Sequence, residues 1–215
     1  MDISSELIAK AQEQSLWSFG NQILYDMCQR APLHTSEVEI AGKVLLIGRS
    51  YAAAIERGAG SPHSGDDFYL HEVVTKMKSV GAELDDRIRL FHEQPRITRP
   101  LLGPIVETHG FLTRVFNDIS GKNKRSLASK YLHFHVPDIF YIYDSRAASG
   151  VSMLSTLDRG LKRSLSENVC DSTYVDFVAK AYPLHVRILE DYGIWLTPRQ
   201  LDEMLLGCRR PGHTV

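Results

Sequence analysis

Apolar residues recur at helical spacing along most of the chain, and no stretch alternates apolar and polar residues between hairpin turns. Apolar residues at i, i+3, i+4 and i+7 are typical of amphipathic helices, whereas strict alternation is typical of half-buried strands. The pattern therefore predicts an all-α fold of about nine or ten helices. The apolar segment 140–143 is the place where a small antiparallel element fits the sequence.

In the N-terminal half, the pattern predicts helices over residues 4–27, 35–57, 66–79, 83–94 and 105–117. Gly20 is the expected break in the first of them, because glycine weakens a helix interior. The apolar residues expected to form its core side are Leu7, Ile8, Ala11, Trp17, Ile23, Leu24 and Met27. The Gly-, Ser- and Pro-rich segment 58–65 predicts a loop.

In the C-terminal half, three further helices are predicted, each behind a capping residue. Asp144 begins a helix expected to reach Leu157, and Asp171 begins a long helix that Pro183 is expected to kink or break. Thr197, followed by Pro198 and by glutamine at the third helical position, predicts a capping box and a final helix that Gly207 closes.

The stretch from Phe116 to Ala148 contains, in this order, a predicted turn, a group of basic residues, a predicted helix and an acidic residue. Gly121 suits the left-handed conformation that ends a helix. A second helix over residues 126–134 is expected to bury Leu127, Tyr131 and Phe134, and Pro137 stops it. The start of this second helix suits a bound phosphate, because it has unpaired N–H groups and the positive end of the helix dipole. Further positive charge comes from Lys122, Lys124 and Arg125.

Three segments of this stretch resemble those of the helix-hairpin-helix DNA glycosylases: Ile119-Ser-Gly-Lys-Asn-Lys-Arg125, Leu127-Ala-Ser-Lys-Tyr-Leu132 and Tyr141-Ile-Tyr-Asp144. The nearest branch is that of the bacterial proteins with an 8-oxoguanine DNA glycosylase-type fold. The resemblance implies a multi-helix, helix-hairpin-helix glycosylase-like fold. It implies that the hairpin, Gly121, Lys122, Asn123, Lys124 and Arg125, binds the DNA backbone. It also implies a catalytic carboxylate at Asp144 and, in bifunctional members, a lysine nucleophile near the start of the second helix.

The chain departs from the family pattern at two positions. Asn123 stands where the family hairpin usually has a second glycine, and asparagine is the next-best residue for positive φ. Alignment on Gly121 puts Arg125 at the nucleophile's position, and arginine stays protonated. Alignment on the Leu-Ala-Ser segment puts Ser126 there, with Lys130 one helical turn later on the same face. Lys130 is the favoured nucleophile and Lys124 is its competitor.

Composition and charge limit the classes of function. The chain has 215 residues, 43% of them apolar, and a net charge of −1. Its size predicts one helical unit over residues 1–215, or two lobes, with the helix-hairpin-helix region at about 105–157. The near-zero net charge argues against a protein that coats nucleic acid. A local basic patch is sufficient for an enzyme that binds DNA transiently.

Cysteine and histidine usage gives no sign of a metal or cofactor. Cys28, Cys170 and Cys208 are far apart, and this odd count predicts a reducing, cytoplasmic location. His133 and His135, two residues apart on a helix, face different directions and are poor joint ligands. No apolar run approaches the roughly 18 residues of a membrane span, so no membrane partner is expected.

Two functions from different classes follow from the sequence. The first is a DNA glycosylase, with or without abasic-site lyase activity, that extrudes a modified or damaged base from a duplex and uses Lys130 and Asp144. The second is a non-catalytic helix-hairpin-helix module that binds DNA or a protein. The two differ in whether Asp144 and Lys130 meet in one concave pocket.

Overall fold

The computed structural model describes residues 3–60, 63–167 and 170–208. No β-strand occurs in these ranges, so the predicted all-α class is confirmed there. Segment 140–143 is extended without a strand partner in the described chain, and the antiparallel element predicted for it was wrong. Its side chains are used for packing, since Phe140, Tyr141 and Ile142 are buried.

Most helices follow one another with short connections. The bounds are α1 Ser5–Gln12, α2 Ser18–Arg30, α3 Glu37–Ser50, α4 Gly65–Phe68, α5 Thr75–Ser79, α6 Gly81–Arg89, α7 Leu102–Ser120, α8 Arg125–His135, α9 Ser145–Leu154, α10 Arg159–Leu165, α11 Ser172–Tyr192 and α12 Pro198–Gly207. A π-helical segment, Tyr69–Val74, joins α4 to α5, and a 3-10 turn, Arg99–Leu101, leads into α7. None of the described helices is long and apolar enough to cross a membrane.

The N-terminal stretch breaks at a different place from the one predicted. Residues 13–17 separate α1 from α2, and Gly20 lies inside α2. Trp17 and Ile23, predicted to be core residues, are 73% and 51% exposed. Because α2 begins anew at Ser18, the face of this stretch that is buried differs from the one expected for a single helix, and Leu24 stays buried.

The helix-turn-helix at the centre of the fold forms as predicted, with α7 three residues longer at each end. Gly121 ends α7 in the left-handed conformation, with φ 63°, and its N–H donates to Asn117 O at 2.8 Å. The predicted face of α8 is buried, because Leu127, Tyr131 and Phe134 are all inside the core. This buried face fixes the orientation of α8 and therefore of the polar residues at its first two turns.

Pro183 neither breaks nor ends α11, which continues to Tyr192. A proline in a helix removes the N–H that would bond the carbonyl four residues earlier, here Ala179 O. The N–H of Asp158 donates to Ala179 O at 3.2 Å instead. A donor from the turn before α10 thus satisfies the carbonyl, which removes most of the reason to break the helix.

Helix α9 packs closely on α12 at a glycine. A Cβ built on Gly150 would lie 2.3 Å from Leu205 O, a backbone atom that cannot move independently. The contact therefore depends on the absence of a side chain at position 150. It holds the helix that Asp144 begins against the C-terminal helix.

We expect Gly150→Ala to destabilise the protein by roughly 1–3 kcal/mol, because the added methyl forces α9 and α12 apart. The matched control is Gly42→Ala in α3, where an added Cβ meets no atom within 4 Å. That variant should be as stable as the wild type or more stable by up to about 1 kcal/mol. Urea unfolding followed by circular dichroism measures both. Equal free energies of unfolding for the two variants would contradict the close α9–α12 contact.

Candidate functional site

A cleft of about 580 Å³ lies where the hairpin, the first turns of α8 and α9, and the segment after α3 meet. Its lining residues are Tyr51, Ala52, Ala53, Ala54, Arg57, Asn123, Lys124, Arg125, Ser126, Leu127, Lys130, Tyr143, Asp144, Ser145 and Arg146. Five predicted site residues, Asn123, Lys124, Arg125, Lys130 and Asp144, thus come together. Gly121 and Lys122 are exposed in the adjacent turn.

Lys130 is almost completely buried at the inner end of this cleft, with 1% of its surface exposed. Its Nζ donates to Ser126 Oγ at 2.8 Å, to Tyr143 O at 3.4 Å and to Asp144 Oδ2 at 3.4 Å. The same Nζ lies 5.6 Å from the ring centroid of Tyr51. Burial lowers the pKa of Lys130 below its ordinary value, although the nearby Asp144 and Asp202 act in the opposite direction.

Asp144 caps α9 and contacts Lys130 with different oxygens. Oδ1 accepts from Arg146 N–H at 3.0 Å and from Ala147 N–H at 2.9 Å, as predicted for a capping residue. Oδ2 faces Lys130. The two capping bonds fix the carboxylate, so that its second oxygen is held at the inner end of the cleft.

Three hairpin side chains, those of Asn123, Lys124 and Arg125, form hydrogen bonds with other parts of the protein. The Arg125 guanidinium contacts both oxygens of Asp171 at 3.0–3.2 Å, and Asn123 Nδ2 donates to Asp171 Oδ2 at 3.1 Å. Lys124 Nζ donates to Ala54 O at 3.1 Å and to Arg57 O at 2.8 Å. These contacts attach the hairpin to the start of α11 and to the segment after α3.

The two candidate nucleophiles therefore differ in their surroundings. Burial lowers the pKa of Lys124 as well, but its amine is directed to two backbone carbonyls of the neighbouring loop. Lys130 has a carboxylate beside its amine, and both groups line the same cleft. Of the two lysines, Lys130 is the more deeply buried and the one with a carboxylate beside its amine.

The cleft is electrostatically positive. Its lining contains five basic residues, Arg57, Lys124, Arg125, Lys130 and Arg146, and Asp144 is the acidic residue among them. The first turn of α8 faces the cleft, and its preceding residue, Lys124, provides no side-chain cap. Uncapped N–H groups at a helix start add partial positive charge, so the cleft suits an anionic ligand.

His133 and His135 are hydrogen-bonded within the fold. No group of three or more potential metal ligands occurs among the described residues. His133 Nδ1 contacts Phe140 O at 3.1 Å and its Nε2 contacts Tyr25 Oη at 2.7 Å. His135 Nδ1 contacts Tyr131 O at 2.8 Å.

Sequence reasoning missed four residues near the site. Tyr51 and Arg57 come from the segment after α3, and only tertiary packing brings them beside the hairpin. Arg199 and Asp202 of α12 form a buried ion pair at 3.3 Å behind Lys130. Asp202 could have been noticed in the sequence, because it lies beside the apolar Leu201 and Leu205 of its helix, and all three are buried. A carboxylate is uncommon at such a buried position.

Comparison of the chain with protein-family models, with curated proteins and with solved structures gave no match.

The ion pair between Arg125 and Asp171 should contribute measurably to stability. Burial alone would raise the pKa of Asp171, but hydrogen bonds from Arg125, Tyr174 N–H and Asn123 outweigh it and lower this pKa. A lowered pKa in the folded state stabilises the protein above the unfolded-state pKa of about 3.9, and this contribution disappears as the pH falls through the folded-state pKa. We expect Asp171→Asn to cost about 1.5–3 kcal/mol at pH 7 and progressively less below about pH 4.

Urea unfolding of wild type and variant between pH 7 and pH 3 measures this difference. Asp86→Asn is the control, because Asp86 pairs with Arg89 on an exposed surface and such pairs contribute little. A difference for Asp171→Asn that stays constant as the pH falls would contradict an ionic origin.

Proposed function

We propose that the protein is a DNA glycosylase with abasic-site lyase activity, and that Lys130 is its nucleophile. The observation that carries this proposal is the Lys130 amine, buried beside the Asp144 carboxylate at the inner end of a basic cleft. The quoted resemblance to helix-hairpin-helix glycosylases concerns the same two residues. The proposed substrate is duplex DNA that carries a modified or damaged base.

The basic cleft is suited to hold the phosphates on either side of an extruded nucleotide. Arg57 and Arg146 are exposed at its edge, and the uncapped start of α8 lies between them and Lys130. Because Asn123, Lys124 and Arg125 are engaged internally, we assign phosphate contact to Arg57, Arg146, Lys122 and the N–H groups of α8. The three engaged side chains instead support the hairpin that presents these N–H groups.

The proposed reaction begins with a neutral Lys130 amine attacking C1′ of the extruded nucleotide. The glycosidic bond breaks, its electron pair leaves with the base, and the base takes up a proton. The attached nitrogen then loses a proton, and its lone pair forms a C=N bond to C1′ as the C1′–O4′ bond breaks. The electron pair of that bond goes to O4′, which takes up a proton, and a protonated imine remains between Lys130 and C1′. Asp144 stabilises the positive charge that develops on the sugar and is placed to accept a proton from the amine.

Substitution of Lys130 should abolish covalent trapping. With borohydride and duplexes carrying an abasic site, 8-oxoguanine, uracil or hypoxanthine, the wild type should form an adduct, and Lys130→Ala and Lys130→Arg should form none. Lys124→Ala is the matched control and should retain the adduct. Asp144→Asn should slow base release by about 10²-fold or more, as loss of an electrostatic catalyst does. Full activity in both Lys130→Ala and Asp144→Asn would refute the two assignments.

The rate of trapping should rise with pH as Lys130 loses its proton. The midpoint of this rise should lie at a pH lower than the ordinary lysine pKa. Burial lowers the pKa of Lys130. The pH above which the neutral amine is the main form is therefore lower than the ordinary lysine pKa of about 10.4. Single-turnover trapping on an abasic duplex, measured from pH 6 to pH 10 and corrected with Lys130→Ala, gives the midpoint. A midpoint at or above the ordinary value would mean that burial does not activate this lysine.

A non-catalytic binding module is the second candidate, and one observation favours it. The Lys130 amine already has three hydrogen-bond partners, so an internal ion pair accounts for its burial. This candidate predicts that the protein binds duplex DNA, that Lys130→Ala binds equally well, and that no base is released. Binding without trapping or base release across the panel would favour the module over the enzyme.

A further inference from the structure

A second cleft, of about 310 Å³, opens between α2, the residues after α8 and the start of α12. Its lining includes Asn21, Tyr25, His133 and Arg199. Tyr51 connects this second cleft to the first, because its ring lines the first cleft and its hydroxyl donates to Asn21 in the second. Tyr51 therefore joins the linings of the two clefts.

Two polar atoms behind this side chain have no hydrogen-bond partner among the described residues: Arg199 Nη2 and Asp202 Oδ1, both fully buried. Their neighbours on the same side chains are paired, since Arg199 Nη1 contacts Asp202 Oδ2 at 3.3 Å and Arg199 Nε contacts Tyr25 Oη at 3.5 Å. Buried donors and acceptors are normally satisfied. An unpaired donor and an unpaired acceptor on one ion pair point to a missing ligand.

The missing ligand must offer an acceptor and a donor close together. A phosphate or carboxylate offers acceptors alone and would leave Asp202 Oδ1 without a donor. The hydrogen-bonding edge of a nucleobase offers both, and guanidinium and carboxylate groups are among the side chains that bind base edges. This chemistry favours a base over an anion.

The position of the pair also suits a base. Lys130 Nζ and Arg199 Cζ lie 5.6 Å and 5.3 Å from the centroid of the same Tyr51 ring. A planar base at the position of this ring would therefore lie close to both the proposed nucleophile and the unpaired groups. Asp202 and Lys130 also influence one another electrostatically, as expected for neighbours.

The backbone next to Tyr51 is strained, which suits a side chain that must move. Ala52 has φ 52°, in the left-handed region that residues other than glycine rarely adopt. Ala52 directly follows the end of α3, where Tyr51 is the C-terminal cap. The strained residue is therefore adjacent in sequence to the side chain that must move for a base to enter.

We infer that Arg199 and Asp202 recognise the hydrogen-bonding edge of the extruded base, which takes the place of the Tyr51 ring close to them and to Lys130. This inference rests on the proposed glycosylase function and adds to it the residues that determine base specificity. Arg199 Nη2 donates to an acceptor of the base, and Asp202 Oδ1 accepts from a donor of the base.

The test compares two reactions of the full chain. The first is release of 8-oxoguanine, uracil or hypoxanthine from a duplex, and the second is borohydride trapping on a duplex with a preformed abasic site. Only the first substrate has a base to recognise. We expect Arg199→Lys and Asp202→Asn to lower the rate of base release at least roughly tenfold more than the rate of trapping, as loss of one base-specific contact does.

Glu203→Gln is the matched control, because Glu203 lies on the same helix and lines the same cleft; its ratio of the two rates should equal that of the wild type. Circular dichroism confirms that each variant folds, and Asp202→Asn preserves side-chain volume. An equal loss of both rates, or no loss, would overturn the inference while leaving the proposed function intact. Trapping without release of any base on the panel would also overturn it. A wild type inactive in both reactions would overturn the proposed function and this inference together.

Discussion

The carboxylate of Asp171 is the constraint on which the geometry of the cleft depends. It accepts the N–H of Tyr174 at 2.9 Å, which caps the 21-residue helix α11, and it also holds Arg125 and Asn123 of the hairpin. A hairpin with a glycine in the left-handed conformation is by itself free to pivot. By attaching the hairpin to the start of a long, well-buried helix, Asp171 fixes where α8 begins and in which direction its first turn points.

The burial of Lys130 follows from this constraint. An amine removed from water is costly to keep unless it is hydrogen-bonded or becomes neutral. Here α8 brings Ser126 one turn before Lys130, and the packed segment before α9 brings Tyr143 O and Asp144 to the same atom. Asp144 can approach because its other oxygen is fixed at the α9 N-terminus. The same contacts that make burial of the lysine tolerable also place a carboxylate next to it.

Local rules predicted those parts of the fold whose causes are local. The left-handed Gly121, the buried face of α8, the cap at Asp144 and the capping box at Thr197 each depend on a few neighbouring residues, and each was confirmed. Pro183 was misjudged because the donor that satisfies Ala179 O comes from Asp158, distant in sequence. Tyr51 and Arg57 were missed for a similar reason, since their place beside the hairpin is a matter of packing between α3 and α8. The exposure of Trp17 was not foreseen either, because Trp17 lies in the break between α1 and α2, which was predicted at Gly20.

The near-zero net charge of the chain is a poor guide to the charge of the cleft. Many acidic groups are used in ion pairs on the surface of α3 and the α5–α7 region, such as Glu37 with Lys78, Glu83 with Arg87 and Asp118 with Lys76. These pairs cancel locally and contribute little beyond a Debye length of about 8–10 Å. The cleft keeps an excess of basic residues over its one lining carboxylate, so the field that a ligand meets there is positive although the whole chain carries −1. The argument from net charge against a nucleic-acid ligand therefore does not apply to a protein that binds through this cleft alone.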